Sequence, residues 1–386
     1  MRGTRAIIHL DNLKHNINEI KRFITPGAKL CIAVKANAYG HGAVECAKTA
    51  VECGADFLAI ATVDEGIELR KAKIKTPLLM LSLCTPEEIP LAVQNSITPL
   101  VFDEEYINLF ADAAKEAGKK KYPVHLAVDT GMGRIGCLPH EAGKISRTIK
   151  NTGVLFQEGM CTHFAVSDDI KEQSRTYTNT QFKLFEQAIA SVKEEGLEPG
   201  ICHCANSAAT IDRPEFHLDM VRPGIIVYGY YAEEISEQYL AKKGTPLELK
   251  PVMTLETVVS SIRHFEEGKS VGYGRTWKAG VPTDIAVLPI GYGDGWVRRF
   301  SLNGIPVAIN GKEYSIRGRI CMDQCMVDVG SDAANSLVKR WDKVILFGAP
   351  QDGALQTADY IAKCTGTISY EITSCITARV PREYVK

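Results

Sequence analysis

A lysine that ends an apolar run is the first group in this chain with chemistry in reach. Leu30 to Val34 is apolar and stops at Lys35; Ala36 to Gly40 reads as a turn, and a helical pattern follows His41 and Gly42. That order describes a buried strand, a loop and a helix, with an amine delivered to the strand's C-terminal tip. A partly desolvated amine becomes less basic and can attack a carbonyl. Most strand-ending lysines simply meet solvent, so the other residues that reach the same place decide the matter. Candidates are Tyr39, Arg134 in DTGMGR, His163, His203, Asn206, Ser207, Arg222, Gly224 and Ile225. Each has a bland role on its own. The histidines could be hydrogen-bonded core residues, Arg222 could pair with Asp219, Ser207 could only cap a helix, and Gly224 could only serve a turn.

The elements that must position these residues alternate between strand and helix. Strand patterns fall at 30–34, 57–61, 77–82, 98–102, 124–128, 154–162, 201–203 and 218–221. Helical patterns lie at 43–53, 63–73, 86–94, 104–118, 139–151, 173–195 and 206–212. A short strand at 6–10 and a helix capped by Asp11 precede them. Eight short apolar strands separated by helices imply parallel pairing with both faces covered, as in a (β/α)8 TIM-type barrel. An open doubly wound sheet competes, but no G-x-G-x-x-G follows the first strand. After a polar connector at 231–250 the texture turns to strands with Gly and Pro turns, and helical pattern returns only at 331–340 and 355–364. The fold class expected is α/β, with a barrel over 1–235 whose first strand (about 5–10) pairs with the second domain, and a mainly β domain over 236–386.

In such a barrel the strand C-termini share one rim, so Lys35, Arg134, His163, His203 and Arg222 converge. Ser207 with the Gly224 and Ile225 amides then forms an anion cradle after the seventh and eighth strands, the usual phosphate seat of this architecture. A phosphate seat, a rim lysine and an arginine that keeps its proton suggest pyridoxal 5'-phosphate, held covalently by Lys35 with Arg222 facing its ring nitrogen.

Composition bounds the partners. The chain has 386 residues, 45% hydrophobic and 24% charged, with net charge -1. That is a soluble globular composition with no electrostatic reason to bind nucleic acid or an anionic membrane. The N-terminus lacks the apolar core of a signal peptide, so a cytoplasmic location is expected. The twelve cysteines do not form metal knuckles. In Cys202-His203-Cys204 the histidine faces opposite to both thiols on a strand, so no metal is expected.

The motifs AVKANAYGHG (33–42), DTGMGRIG (129–136), THFA (162–165), HCANSAAT (203–210), DMVRPGIIVYG (219–229), VGYGRTW (271–277), IGYGDGW (290–296), GRICMDQ (318–324), SYE (369–371) and RVPR (379–382) resemble those of the PLP-dependent alanine racemases, in family order over the whole chain. The resemblance implies an isomerase interconverting L- and D-alanine, supplying D-alanine for peptidoglycan, as a homodimer with shared active sites. It implies that Lys35 carries the cofactor and is one base. Tyr273 is the opposite base and Met322 a substrate contact, both from the partner chain. Arg134 would bind the substrate carboxylate. Tyr39, Ser207, Gly224, Ile225 and Tyr370 would hold the phosphate, Arg222 braced by His203 the ring nitrogen, and His163 the ring flank. Tyr292, Arg319 and Asp168 resemble a substrate corridor.

One position departs from the family pattern. Many members carry a lysine, carbamylated, where this chain has Ala127. A bound anion such as chloride, or a neighbouring side chain, is expected to brace Arg134 instead, and the altered wall leaves the strictness of alanine specificity open. The alternatives are a serine or broad-specificity amino-acid racemase on the same scaffold, and a PLP-binding homeostasis protein without enzymatic activity. The second of these resembles a lone barrel, and the β domain with Tyr273 argues against it. A PLP decarboxylase of similar fold lacks its motifs here.

Overall fold

Residues 3–386 are described by the computed structural model. The chain opens with strand β1 (Arg5–His9) and the helix Leu10–Lys21. The N-cap of that helix is His9; Asp11 sits in the first turn rather than at the cap, where its charge still suits the helix dipole.

Eight strands then build the barrel: β2 (Lys29–Ala33), β3 (Phe57–Ile60), β4 (Leu78–Met80), β5 (Ile97–Val101), β6 (Tyr122–Ala127), β7 (Leu155–Cys161), β8 (Ile201–His203) and β9 (Met220–Val221). Their order is β8-β7-β6-β5-β4-β3-β2-β9, and each paired neighbour is parallel. The ring closes where the Asp219 N–H donates to the Cys202 carbonyl at 3.0 Å and the Arg222 N–H to the Ala205 carbonyl at 2.9 Å. Every residue of β3, β4 and β5 is buried, because helices cover the outside and side chains fill the inside.

The second sheet contains β10 (Met253–Val258), β11 (Ser261–Phe265), β14 (Thr283–Leu288), β15 (Pro306–Ile309), β16 (Lys312–Ile316), β17 (Cys325–Gly330), β18 (Lys343–Phe347) and β19 (Arg382–Val385). A separate antiparallel hairpin of β12 (Ser270–Val271) and β13 (Trp277–Lys278) lies between β11 and β14 in the chain. The sheet order is β11-β14-β17-β16-β15-β18-β10-β1-β19. The first strand of the chain thus lies between β10 and β19, antiparallel to one and parallel to the other.

Three segments differ from the sequence reading. Residues 331–340 form turns rather than a helix. There Asp332 accepts from Tyr314 Oη at 2.6 Å and from Lys312 Nζ at 3.1 Å, and Ser336 takes φ +61°. Side chains that bond locally compete with the helix ladder. The polar connector holds a helix, Glu237–Lys243, capped by Ser236 and stopped at Gly244 with φ +81°. A further short helix, Ser369–Ser374, carries Tyr370. No helix among the described residues is long and apolar enough to cross a membrane.

Candidate active site

Lys35 follows β2 after a single residue, Val34, and opens a turn of unusual hand. Ala36, Asn37, Ala38 and Tyr39 all have φ between +51° and +54°, a left-handed helical turn made by four residues with side chains. Each costs about 1–2 kcal/mol relative to the right-handed form. Such strain survives only where the surroundings over-determine it. The surroundings here are dense. The Val34 carbonyl accepts from the Ala38 N–H at 2.8 Å, Asn37 Oδ1 accepts from the Ala43 N–H at 2.8 Å, and Glu65 Oε1 accepts from the Ala36 N–H at 2.6 Å. From the second sheet, Arg382 Nε donates to the Gly40 carbonyl at 2.9 Å. A side chain at Gly40 would run into the Thr373 carbonyl, and one at Gly42 into the Tyr384 hydroxyl.

The turn places half-buried Lys35 in a cavity of about 240 Å³ at the barrel rim, lined also by Arg134, His163 and Arg222. No carboxylate lines that cavity. Burial first, then the Arg134 charge, pulls the Lys35 pKa below the ordinary lysine value, and Arg222 adds to this. The free amine fraction therefore rises at lower pH than for a solvated lysine. His163 is pushed down to about 3 by burial and by Arg222, so it is neutral at any working pH.

Arg222 is fixed by its neighbours. Nη1 donates to His203 Nδ1 at 2.6 Å, and Nη2 donates to the Thr162 carbonyl at 2.9 Å and approaches His163 Nδ1 at 3.3 Å. It does not pair with Asp219, whose Oδ2 accepts from the Cys202 N–H at 2.8 Å.

Beside this cavity four polar groups meet. Ser207 Oγ accepts from the Gly224 N–H at 2.9 Å, and the Tyr370 hydroxyl lies close enough for Ser207 to act on its pKa. Tyr39 packs between Tyr228 and Tyr370, with ring centroids 5.2 Å and 5.7 Å away. A Cβ on Gly224 would lie 2.6 Å from Tyr39 Oη. Ile225 opens a 3-10 helix, so its N–H belongs to the unpaired amides of a helix start. The helix cap is Asn206, not Ser207: Asn206 Oδ1 accepts from the Ala209 N–H at 3.1 Å and from Ser167 Oγ at 2.9 Å. That leaves the Ser207 hydroxyl to face Gly224 and Tyr370. The cluster of hydroxyls and amides at a glycine, next to a lysine and an arginine, fits a phosphorylated aldehyde cofactor.

Two predicted residues lie elsewhere. Tyr273, 68% exposed, and Met322, 52% exposed, do not line the Lys35 cavity. Tyr273 instead lines a cleft on the second domain with Tyr292, Val297, Arg298 and Ile320. Ala127 is buried and lines the Lys35 cavity. Among the described residues no side chain of this chain hydrogen-bonds or ion-pairs with Arg134, so no brace forms from within the chain. His125 and Glu158, which continue the contacts of His203, went unnoticed in the sequence. The available signal was a histidine inside an apolar strand pattern.

Comparison with known proteins accounts for the whole arrangement. Residues 8–232 match the family model "Alanine racemase, N-terminal domain", and residues 252–384 match "Alanine racemase, C-terminal domain". An alanine racemase of Treponema denticola is 47% identical over 387 residues, spanning 100% of this chain and 99% of the relative. One of Desulforamulus reducens is 42% identical over 98% of each chain. The solved alanine racemase of Clostridium difficile 630 superposes with TM-score 0.91 at 38% identity, covering 99% of this chain and 96% of the other. That of Bacillus anthracis, with bound L-Ala-P, gives 0.90 at 34% identity, covering 100% and 96%. With the barrel, the second sheet and the rim constellation all in place, the chain belongs to the alanine racemase family.

Proposed function

We propose that this protein is an isomerase that interconverts L- and D-alanine, using pyridoxal 5'-phosphate seated in the rim cavity, and that a second copy completes each site. The observation that carries the reading is Lys35, with its lowered pKa, in a cavity that also presents Arg134 and Arg222 and adjoins the Tyr39–Ser207–Gly224–Tyr370 cluster. Held by Lys35, Arg222 and the Tyr39–Ser207–Gly224–Tyr370 cluster, the cofactor would supply an electron-withdrawing group that makes the substrate's Cα–H more acidic.

The chain's own residues do the rest. Arg134 holds the substrate carboxylate. Lys35, as a free amine, takes or returns the Cα proton on one face. Tyr273 of the second copy serves the opposite face. Two bases are needed because one base tends to return the proton it removed. Met322 of the second copy contributes its backbone N–H to the carboxylate. The exposure of Tyr273 and Met322, away from any cavity holding Lys35, favours this two-chain assembly. Arg222 keeps its proton and faces the ring nitrogen as a donor that cannot readily give a proton up. That limits charge flow into the ring and restrains side reactions such as transamination. His163 flanks the ring as a neutral imidazole.

We place the division between barrel and second domain near residues 235–236 and the protein in the cytoplasm, where D-alanine would be made for peptidoglycan. The reading is tested by incubating cofactor-loaded protein with L-alanine in D2O. D-alanine carrying deuterium at Cα is expected, and Lys35→Ala should abolish it. Consumption of alanine with CO2 release, or no exchange at all, would overturn the proposal. Ala127 favours a second reading, a racemase that also accepts serine. A kcat/KM for L-serine within about tenfold of that for L-alanine, a gap of about 1.4 kcal/mol, would support it.

A further inference from the structure

Arg222 heads a polar chain that runs down the inside of the barrel. Beyond the contact to Arg222, His203 Nε2 lies 2.8 Å from His125 Nδ1, and His125 Nε2 lies 3.4 Å from Glu158 Oε2. Both imidazoles are fully buried, whereas the Glu158 side chain keeps 26% exposure.

The direction of every hydrogen bond in the chain is set by its two ends together. A guanidinium has only donors, so His203 Nδ1 must accept. His203 Nε2 then carries the proton and donates to His125 Nδ1. His125 Nε2 carries the next proton and needs an acceptor, which Glu158 supplies. Both rings are neutral in this scheme. Burial first and the Arg222 charge hold both histidines below their ordinary pKa, with Glu158 opposing the shift at His125.

The backbone is shaped to the same end. Val124 pairs with Gln157 and His125 with Gly159, so Glu158 is an extra residue in β7, a bulge. Bulges re-aim a side chain and recur beside active sites. The next residue, Gly159, has no Cβ; one there would lie 2.5 Å from the Ile201 carbonyl oxygen and 2.7 Å from His125 Cε1. Two consecutive positions of β7 thus serve to seat one imidazole, one by leaving the register and one by leaving out a side chain.

We propose that Glu158 is a positioning residue that acts on the active site from within the barrel: as terminal acceptor it fixes His125 and His203 as Nε2–H tautomers and so holds Arg222 in place as a donor. The role assigned to Arg222 rests on the cofactor reading above; the tautomer lock does not. Without Glu158, either the His125 Nε2–H is orphaned or the chain reverses and sets a His203 N–H against the Arg222 N–H. Each option loosens Arg222.

The test compares wild type with Glu158→Leu and Glu158→Gln, using histidine labelled with 15N and long-range proton–nitrogen correlation on the protein with and without pyridoxal 5'-phosphate. Wild type should show both rings as Nε2–H tautomers in both states. Glu158→Leu should show mixed tautomers, a shifted absorbance of the bound cofactor, and kcat lower by about tenfold with KM little changed. Glu158→Gln, whose amide oxygen can still accept, should restore the tautomers and most of kcat. Wild-type tautomers and absorbance in Glu158→Leu would overturn the proposal. Wild type inactive on alanine, with tautomers lost in Glu158→Leu, would sink the alanine reading and leave the lock standing.

Discussion

Gly224 carries the tightest requirement of any single residue in the proposed phosphate seat, with 2.6 Å between its would-be Cβ and Tyr39 Oη. Tyr39 cannot swing aside to admit a methyl group, because Tyr228 and Tyr370 hold its ring on both sides. Gly224→Ala should therefore displace the Tyr39 hydroxyl or the Ser207 contact. Misplacement of this size commonly costs about a hundredfold in function. The expected outcome is a dissociation constant for pyridoxal 5'-phosphate raised by about 10- to 100-fold, measured by fluorescence titration of the cofactor-free protein. An unchanged constant would remove Gly224 from the seat. At this scale the sequence named the chemical groups but not their division of labour. Ser207 and Asn206 are adjacent and equally able to cap a helix; only the fold shows that Asn206 caps and Ser207 turns inward. His125 and Glu158 escaped notice because a two-residue alternation cannot announce a bulge, and the bulge is what joins them.

At the scale of elements, the turn Ala36–Tyr39 stores strain that can be measured. Ala36 is exposed and has φ +51°. Glycine adopts that conformation without the Cβ clash but adds unfolded-state entropy of about 0.5–1 kcal/mol. Against about 1–2 kcal/mol of relieved strain, Ala36→Gly should stabilise the fold by about 0.5–1 kcal/mol. Urea or thermal unfolding would show it, and a loss of stability would mean that the methyl group makes contacts worth more than its strain. Barrel strands were readable because a short, continuous apolar run between two amphipathic helices is rarely anything but a buried parallel strand. The second domain was less so. Strand β11 is only partly buried, with Arg263 and His264 exposed, so it offers no continuous apolar run. The strand at Arg382–Val385 is mostly polar and shows no inward face to a pattern search. The helix at Glu237–Lys243 did carry its signals, a serine cap and a closing glycine, inside a charged stretch that otherwise reads as a linker.

For the whole molecule, two half-sites on separate faces make a complementation test possible. In the proposed two-fold dimer, each barrel cavity would meet the second domain of the other chain. Lys35→Ala and Tyr273→Phe should each be nearly inactive alone. Mixed after co-expression or reversible dissociation, about half the dimers are heterodimers, each with one intact site and one doubly altered site. Activity should return to about one quarter of wild type. No recovery in a mixture shown to contain heterodimers would place both bases in one chain. The pooled histidines give an independent whole-molecule observable. His41, His125, His163, His203 and His217 all have lowered pKa values, with His41 near 4 and His163 near 3, chiefly through burial. These groups are neutral in both states above the unfolded value of 6.5. As pH falls below it, the unfolded chain binds protons that the folded one does not, so stability falls from there toward the folded pKa values. Unfolding at about pH 5 should take up several protons, read from the slope of stability against pH; a flat slope would contradict the burial of these rings.

The place of β1 between β10 and β19 has a consequence for how the protein is born. A ribosome adds about 5–20 residues per second, so β1 emerges some tens of seconds before its second neighbour exists. The barrel strands, all encoded in between, can meet and close in that interval. The turn after Lys35 then has its barrel-local bonds but not yet the contacts of Arg382 with Gly40 and of Tyr384 with Gly42, which are encoded after the barrel. The loop beside Lys35 therefore receives a restraint from a residue 342 positions further along the chain, after the barrel strands that carry it have been made.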